Sequence, residues 1–372
     1  MSGIYIHIPF CKQACHYCNF HFSTSLHYRE ALVQAIAKET AFSAAADFIE
    51  REPVQTVYFG GGTPSLLPAA DIDLLLNEIR KHYPVTADAE ITLEANPDDL
   101  VADKLETWKR SGVNRLSIGV QSFFEPDLLW MNRAHNAAQA AGGLELAVQY
   151  FDNITIDLIY GVPGLTNERW KQNVDTALKA GIPHLSCYAL TVEPQTPLDK
   201  MVRKHIREDV NGELQSEQFL LLMDWLQHAG YEHYEISNFA KPGFRSRHNS
   251  AYWKGVPYYG FGPAAHSFNG TLRRWNVAHN QQYIRAIHSG HIPYEEEVLT
   301  PAQRQNEYVM IALRTSEGIA LAPLDGPARQ QLLKQAGIYR ERGWLTIDDA
   351  RIRLTNEGKL FADGIAADLF VN

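Results

Sequence analysis

The sequence predicts an α/β protein with a parallel sheet, followed by a smaller C-terminal domain of different build. Three observations carry that reading. Six short apolar runs alternate with helical segments through the first 190 residues, the pattern of parallel strands joined by right-handed helical crossovers. Polar, glycine-rich and ligand-type residues follow those runs one after another. From about residue 301 the alternation gives way to two helical segments and a hairpin pattern. A chain of 372 residues is long enough for one large domain and a small one. We divide it into a core over 1–190, an extension over 191–300 and a C-terminal domain over 301–372.

The predicted strands are IYIHI (4–8), TVYFG (56–60), ITLEA (91–95), RLSIGV (115–120), ITIDLIY (154–160) and HLSCYAL (184–190). Their length, β-branching and aromatic content favour strands. Between them, 28–49 is alanine-rich and reads as a helix. In DIDLLLNEIR, Ile72, Leu75, Leu76 and Ile79 recur at i, i+3, i+4, i+7, the apolar stripe of a helix. The sheet either closes as a βα barrel or stays open and doubly wound; in both, the working site lies at the carboxyl ends of the strands. That rim holds the cysteines after strand 1, GGGTP (60–64) after strand 2, Glu94 and Asn96 at strand 3, Gln121 after strand 4, Asp157 on strand 5, and Tyr188 and Ala189 ending strand 6. The extension carries a helix over about 213–229 and then a stretch rich in aromatics and histidine. In the C-terminal domain two helices precede WLTIDDARIRLTNEG, which alternates around DDA as a hairpin, a winged-helix-like order. Its acidic and basic residues balance, with no basic excess, so we take it as a packing or partner surface rather than a DNA reader.

Composition excludes several classes. Hydrophobic residues at 45% and charged residues at 21% exclude a disordered chain. A net charge of −9 with no basic run excludes a nucleic-acid partner. No stretch of 18 apolar residues exists, so no integral membrane protein is expected. The first apolar segment contains His7 and Pro9 and is too short for a signal peptide. Four cysteines in the chain suit a reducing, cytoplasmic setting.

Three of those cysteines, Cys11, Cys15 and Cys18, sit within eight residues in a C-x3-C-x2-C spacing. Three is an odd number, and Cys187 belongs to an apolar strand, so disulfides explain them poorly. Structural zinc is one reading, with His7, His16 or His21 as the fourth ligand. A 4Fe-4S cluster fits better, because such clusters are held by thiolates on loops of this kind. Three protein ligands for four irons leave one iron open to a small molecule.

This motif, after a first strand and ahead of a βα chain with GGGTP, resembles the radical S-adenosylmethionine enzymes. The resemblance implies a partial (βα)6 barrel whose open iron is chelated by the amino and carboxylate groups of S-adenosylmethionine. In that family an electron from the cluster cleaves the sulfonium to methionine and a 5′-deoxyadenosyl radical. Closer still, YIHIPFC, FGGGTPS, SIGVQSF, DLIYGVPG and YEISNFA are similar to the oxygen-independent coproporphyrinogen III oxidase family and its haem-chaperone subgroup, HemW. The likeness covers nearly the whole chain.

Read through that resemblance, Gly60, Gly61, Gly62 and Thr63 bring backbone close to the methionine end, where a Cβ would block approach. Glu94 accepts from the methionine ammonium, and Arg133 faces the carboxylate as a charge-assisted pair. Gln121 and Asp157 accept from ribose hydroxyls. Tyr5 and Tyr17 flank the cluster loop, and Ala189 and His266 match the adenine side. The plain alternatives are solvated strand ends and simple packing.

Two departures separate the subgroup from the oxidases. The oxidases carry C-x3-C-x2-C-x-C, with a cysteine where this chain has Phe20, and a longer segment ahead of the cluster. HNSAYW (248–253) matches the H-N-x-x-Y-W motif of the chaperones. It offers His248 as a haem ligand, Tyr252 and Trp253 as porphyrin contacts, and Arg245 and Arg247 as propionate partners. The alternative is that His248 caps a loop and the aromatics fill an interface. The resemblance thus implies a haem chaperone that passes haem to an acceptor protein of unknown identity. The runner-up is oxidative decarboxylation of coproporphyrinogen III, and behind it a zinc-stabilised binding module. Aromatic residues in 252–261, taken as exposed, would support a homodimer.

Overall fold

Six parallel strands stand side by side in sequence order: β1 (Ser2–Ile8), β2 (Val54–Gly61), β3 (Val85–Ala95), β4 (Arg115–Gln121), β5 (Ile154–Tyr160) and β6 (His184–Ala189). The computed structural model describes residues 2–46, 48–49, 52–324 and 326–371. The crossovers carry α1 (Arg29–Ala45), α2 (Ala69–His82), α3 (Ala102–Ser111), α4 (Glu125–Met131), α5 (Ala137–Ala147) and α6 (Asn167–Lys179). The helix expected over 28–49 ends at Ala45, and Asp47 lies outside the described residues. Strand β3 starts six residues before the expected run, because Val85 pairs with Val54 ahead of a register shift.

Apolar residues on alternate strand positions, such as Ile4, Ile6, Phe59, Leu93, Ile118 and Leu158, are fully buried under the helices. The stripe Ile72, Leu75, Leu76 and Ile79 of α2 is buried as its spacing predicts. Each such side chain contributes about 1.5–3 kcal/mol of transfer free energy.

The barrel stays open. β1 pairs with β2 and β9 (Tyr258–Phe261), and β6 pairs with β5 and β8 (Asn238–Ala240), so the first and sixth strands never meet. After β6 come α7 (Pro197–Arg203), α8 (Gly212–His228) and β7 (Glu232–Glu235), which with β8 extends the sheet beyond β6. On the other side, β10 (His266–Phe268), β11 (Leu272–Asn276) and β12 (Tyr294–Val298) continue antiparallel from β9. Two helices lie in this region: α9 (Arg247–Trp253), capped by Ser246, and α10 (Asn280–His288). The result is one 12-stranded sheet.

The aromatic stretch 252–261 departs from expectation. It forms the end of α9 and strand β9 within the sheet, and Tyr259 and Phe261 are buried against Tyr83. It presents no exposed aromatic face, because pairing with β1 draws these rings into the core.

The C-terminal part has its own apolar core, including Val309, Leu313, Leu332, Ile352 and Ile365. It comprises α11 (Pro301–Leu313), β13 (Ile319–Ala320), α12 (Gly326–Glu341), β14 (Leu345–Ile347), β15 (Arg351–Leu354), α13 (Asn356–Lys359) and α14 (Ala362–Asp368). The predicted hairpin is β14–β15, with β13 added as a third antiparallel strand. Arg314 bridges this unit to the sheet through Glu235 (3.2 Å), and its other arm reaches Asp363 (2.8 Å). Among the described residues no helix is long and apolar enough to cross a membrane.

Candidate functional site

Backbone hydrogen bonds stitch the loop after β1 to the strand ends. Gly62 N–H donates to Ile8 O (2.9 Å), Thr63 N–H to Phe10 O (2.6 Å), Cys11 N–H to Ser23 O (3.0 Å) and Ser23 N–H to Pro9 O (2.8 Å). Gly62 permits the approach: a Cβ there would lie 2.6 Å from Phe10 O. Gly61 has φ +107, and a Cβ there would strike the His7 ring, so only glycine is unstrained at this position. Side chains complete the clamp. Lys12 Nζ donates to Asp98 (2.5 Å) and Asp99 (2.6 Å), and Gln13 Nε2 donates to Asn132 Oδ1 (2.7 Å). Asn132 takes the left-handed conformation after α4 and donates back to Ala14 O (2.7 Å).

Cys11, Cys15 and Cys18 are free and half-buried on this loop. Burial above all pushes the Cys11 thiol up to about 11, against a hydrogen bond with Thr63 and with repulsion from Cys18 and Cys15. Burial likewise raises Cys18. Such thiols become good ligands only beside concentrated positive charge. Among the described residues no three His, Cys, Asp or Glu side chains converge as a single metal ion requires. Three thiols on one loop suit a cluster that takes each on a different iron. The donor set therefore fits an iron–sulfur cluster better than one zinc.

Arg133 is where the sequence expectation is most altered. Its Nη1 donates to Cys15 Sγ (3.3 Å) and the Tyr17 hydroxyl (3.4 Å), and its Nη2 to Asn96 Oδ1 and Gly119 O (both 2.9 Å). Its Nε is buried and has no hydrogen-bond partner among the described residues. The guanidinium thus lies against the thiols as well as the strand ends. Gly119 makes room for it, since a Cβ there would lie 3.2 Å from Nη2.

The concave face inside the strands is polar. Tyr5 stacks near Tyr58, with ring centroids 6.1 Å apart, and the Tyr58 hydroxyl donates to Glu94 Oε1 (2.7 Å). Gly60 faces these three, with room for nothing larger than hydrogen beside Tyr58 and Tyr5. Burial, opposed by the Tyr58 hydrogen bond and reinforced by Asp157, pushes the Glu94 carboxyl up to about 7. Burial pushes Asp157 up to about 6, against the pull of Arg133. Both carboxyls can ionise fully once a cation or donor arrives. Gln121 is buried at the end of β4 with φ +65, a conformation uncommon outside glycine that clusters at functional sites. Ala189 is half-buried at the end of β6. Cys11, Cys15, Cys18, Tyr17, Thr63, Glu94, Gln121, Arg133 and Asp157 thus gather at one end of the barrel.

The HNSAYW residues lie elsewhere. α9 crosses the amino-terminal ends of the strands and closes the barrel floor. Glu90 accepts the backbone N–H groups of Arg247 (3.0 Å) and His248 (2.9 Å). His248 is 2% exposed, with Nδ1 at 2.8 Å from Thr56 Oγ1 and Nε2 at 3.0 Å from the Tyr252 hydroxyl. Its ring stacks on Tyr58 at 4.9 Å. Burial, with Arg115 nearby, lowers its pKa to about 3. Trp253 packs under the Arg314 guanidinium (5.6 Å). Arg245 is paired with Glu232 (2.9 Å) and Glu317 (2.7 Å), and Arg247 with Asp88 (3.5 Å). None of these groups is brought to the rim. Sequence reasoning passed over Tyr58 and Glu90 as site residues, and put Asn96 on the rim without a role. The period-two alternation that put Tyr58 and Glu94 on one face was the available signal.

Comparison with known proteins agrees with this architecture. Residues 5–177 match the radical SAM superfamily and residues 299–361 the HemN C-terminal domain. The chain is 35% identical to the heme chaperone HemW of Bacillus subtilis, covering 98% of each. It is 34% identical to that of Mycobacterium tuberculosis, covering 99% of this chain and 94% of the relative. It is 31% identical to that of Escherichia coli, covering 98% and 96%. Its fold matches the coproporphyrinogen III oxidase HemN of Escherichia coli with TM-score 0.84 at 24% identity, covering 100% of this chain and 90% of the other.

Proposed function

This chain belongs to the radical SAM superfamily and, within it, to the HemW family, and on that premise we propose a haem chaperone that binds haem and passes it to an acceptor protein while holding a 4Fe-4S cluster and S-adenosylmethionine. Phe20 carries the choice over an oxidase. It stands 68% exposed just past Cys18, where the oxidases resembled place a further thiol. The curated relatives that span nearly the whole chain are named as haem chaperones, which supports the same choice.

When bound, the cluster supplies single electrons and an open iron for the amino and carboxylate groups of the cofactor. Cys11, Cys15 and Cys18 give the thiolates. Arg133 offsets charge at Cys15 and fixes the loop against Asn96 and Gly119. Glu94, oriented by Tyr58, receives the ammonium, which draws the carboxyl to its ionised form. Asp157 and Gln121 take the ribose hydroxyls, and Tyr5, Tyr17 and Ala189 pack around the cofactor. His248, Tyr252 and Trp253 act as haem contacts only if α9 leaves the barrel floor, because both imidazole nitrogens are engaged. The acceptor's docking surface and a cytoplasmic setting belong to the same reading.

One paired measurement tests it: haem titration and an anaerobic oxidase assay on the same cluster-loaded sample. Stoichiometric haem binding without protoporphyrinogen is expected. Multiple turnovers to protoporphyrinogen would establish the oxidase instead, and absence of haem binding would overturn the chaperone.

A further inference from the structure

The extension strands carry a second concave surface. β9 runs parallel to β1, with Tyr258 opposite Gly3 and Gly260 opposite Tyr5. Phe268 lies opposite Tyr258 and Arg273, and Trp275 opposite His266 and Glu295. Residues directly opposite share a face of the sheet. Tyr258, His266, Phe268, Arg273 and Trp275 therefore continue the face that carries Tyr5 and His7 inside the barrel.

At one edge this face hollows into a recess of about 480 Å³, lined by Ala264, His266, Trp275 and Glu295 together with residues of 276–278 and 293–294. Sites for cofactor-sized ligands span roughly 300–1,000 Å³. Ala264 turns the corner with φ +61. Gly260 lets the next strand fold back close, since a Cβ there would lie 1.9 Å from His266 O.

Imidazoles on the concave face differ in availability. His248 is buried with both ring nitrogens engaged. His7 bonds His21 O (3.0 Å) and the Tyr5 hydroxyl (3.3 Å). His184 lies between Thr155 (3.0 Å) and Tyr234 (2.7 Å). His266 is exposed, stacks with Trp275 at 6.1 Å, and has no hydrogen bond to its ring among the described residues. Burial of part of the ring and the nearby Arg273 lower its pKa, which favours the neutral ring that ligates iron. Arg273, on the same sheet face beyond the recess, is one third exposed and paired with Glu307 of α11 (2.7 Å). A free imidazole and a stacking indole lining one recess, with the Arg273 guanidinium farther along the same sheet face, match a metalloporphyrin bearing carboxylates.

We propose that this recess is where haem is carried, with His266 as axial ligand to the iron and Trp275 packed on the macrocycle. The proposal rests on the haem-chaperone reading and places the cargo on the extension rather than on α9. The ring path His248–Tyr252–Tyr258–Phe268, with centroid steps of 4.9, 4.7 and 6.4 Å, joins α9 to this surface. Changes at His248 would therefore disturb the haem site indirectly.

The test is haem titration of the full-length protein and its His266→Gly, Trp275→Ala and His248→Gln variants, followed by Soret absorption and low-spin EPR. His266→Gly should lose the histidine-ligated signature and bind haem about tenfold more weakly, and added imidazole should restore the bands. Trp275→Ala should weaken binding while keeping the ligation signature. The inference is overturned if His266→Gly leaves band and affinity unchanged. It is equally overturned if His248→Gln, folded by circular dichroism, alone abolishes histidine ligation, or if His266→Gly impairs only S-adenosylmethionine binding. Failure of the wild-type protein to bind any haem would instead sink the chaperone reading itself.

Discussion

Arg133 shows how one residue ties the cluster loop to the barrel. Four acceptors on three segments, Cys15, Tyr17, Asn96 and the Gly119 carbonyl, converge on its guanidinium. A hydrogen bond to a charged group contributes about 1.5–3 kcal/mol. Removing a positive charge beside a thiolate makes the cluster harder to reduce. Arg133→Met should therefore shift the cluster potential downward by roughly tens of millivolts, a tenfold change for one electron being about 59 mV. Redox titration followed by EPR reads this, and an unchanged potential would remove Arg133 from the cluster's surroundings. The family resemblance pointed to this residue, but not to its attachment to Cys15. That contact exists because Asn132 adopts a left-handed turn after α4, which no spacing in the sequence announces. His248 is the converse case. Its motif was legible, whereas its burial depends on Thr56 and Glu90, residues far from it in the chain.

At the scale of elements, the strand ends and their glycines set the geometry. Gly62 brings the end of β2 against the cluster loop, where an added methyl meets backbone and has nowhere to go. Gly62→Ala should cost about 1–3 kcal/mol of overpacking and lower iron and sulfide content severalfold after reconstitution. Circular dichroism should show the fold retained. Full cluster content in that variant would show that the close approach is dispensable. The six core strands and α2 were readable because apolar periodicity is local. β10, β11 and α9 were not, because these are short, mixed-polarity segments whose structure is imposed by strand pairing, β10 on β9 and β11 on β10, and by Glu90 beneath the helix. The exposed strand β12, with Glu295, Glu296 and Glu297, guards the sheet edge by charge.

At the scale of the whole molecule, buried Glu39 joins the core to the extension. From α1 it accepts from Gly262 N–H (2.8 Å), Asn276 Nδ2 (2.6 Å) and the Tyr283 hydroxyl (2.5 Å). Burial outweighs these donors and pushes its carboxyl up to about 7. The folded state thus holds a proton that the unfolded chain releases above its ordinary value near 4.5. Its contribution is complete below that value and is lost as pH rises through about 7. In Glu39→Gln the group cannot titrate. The stability gap between wild type and variant should therefore narrow from about pH 5 to about pH 8, measured by urea denaturation at each pH. A gap independent of pH would mean that Glu39 is ionised throughout in the fold.

By itself the sequence determined the α/β class, the order of the six core strands and the placing of three crowded thiols just after the first of them. All of these follow from local periodicity and from short motifs that act through neighbouring residues. Tertiary structure alone decided that Arg133 lies against Cys15, that α9 closes the barrel floor with His248 inside, and that the barrel face runs on to His266 and Trp275. Those outcomes depend on strand register and on hydrogen bonds between residues hundreds of positions apart, where one polar group is buried only because a distant one satisfies it.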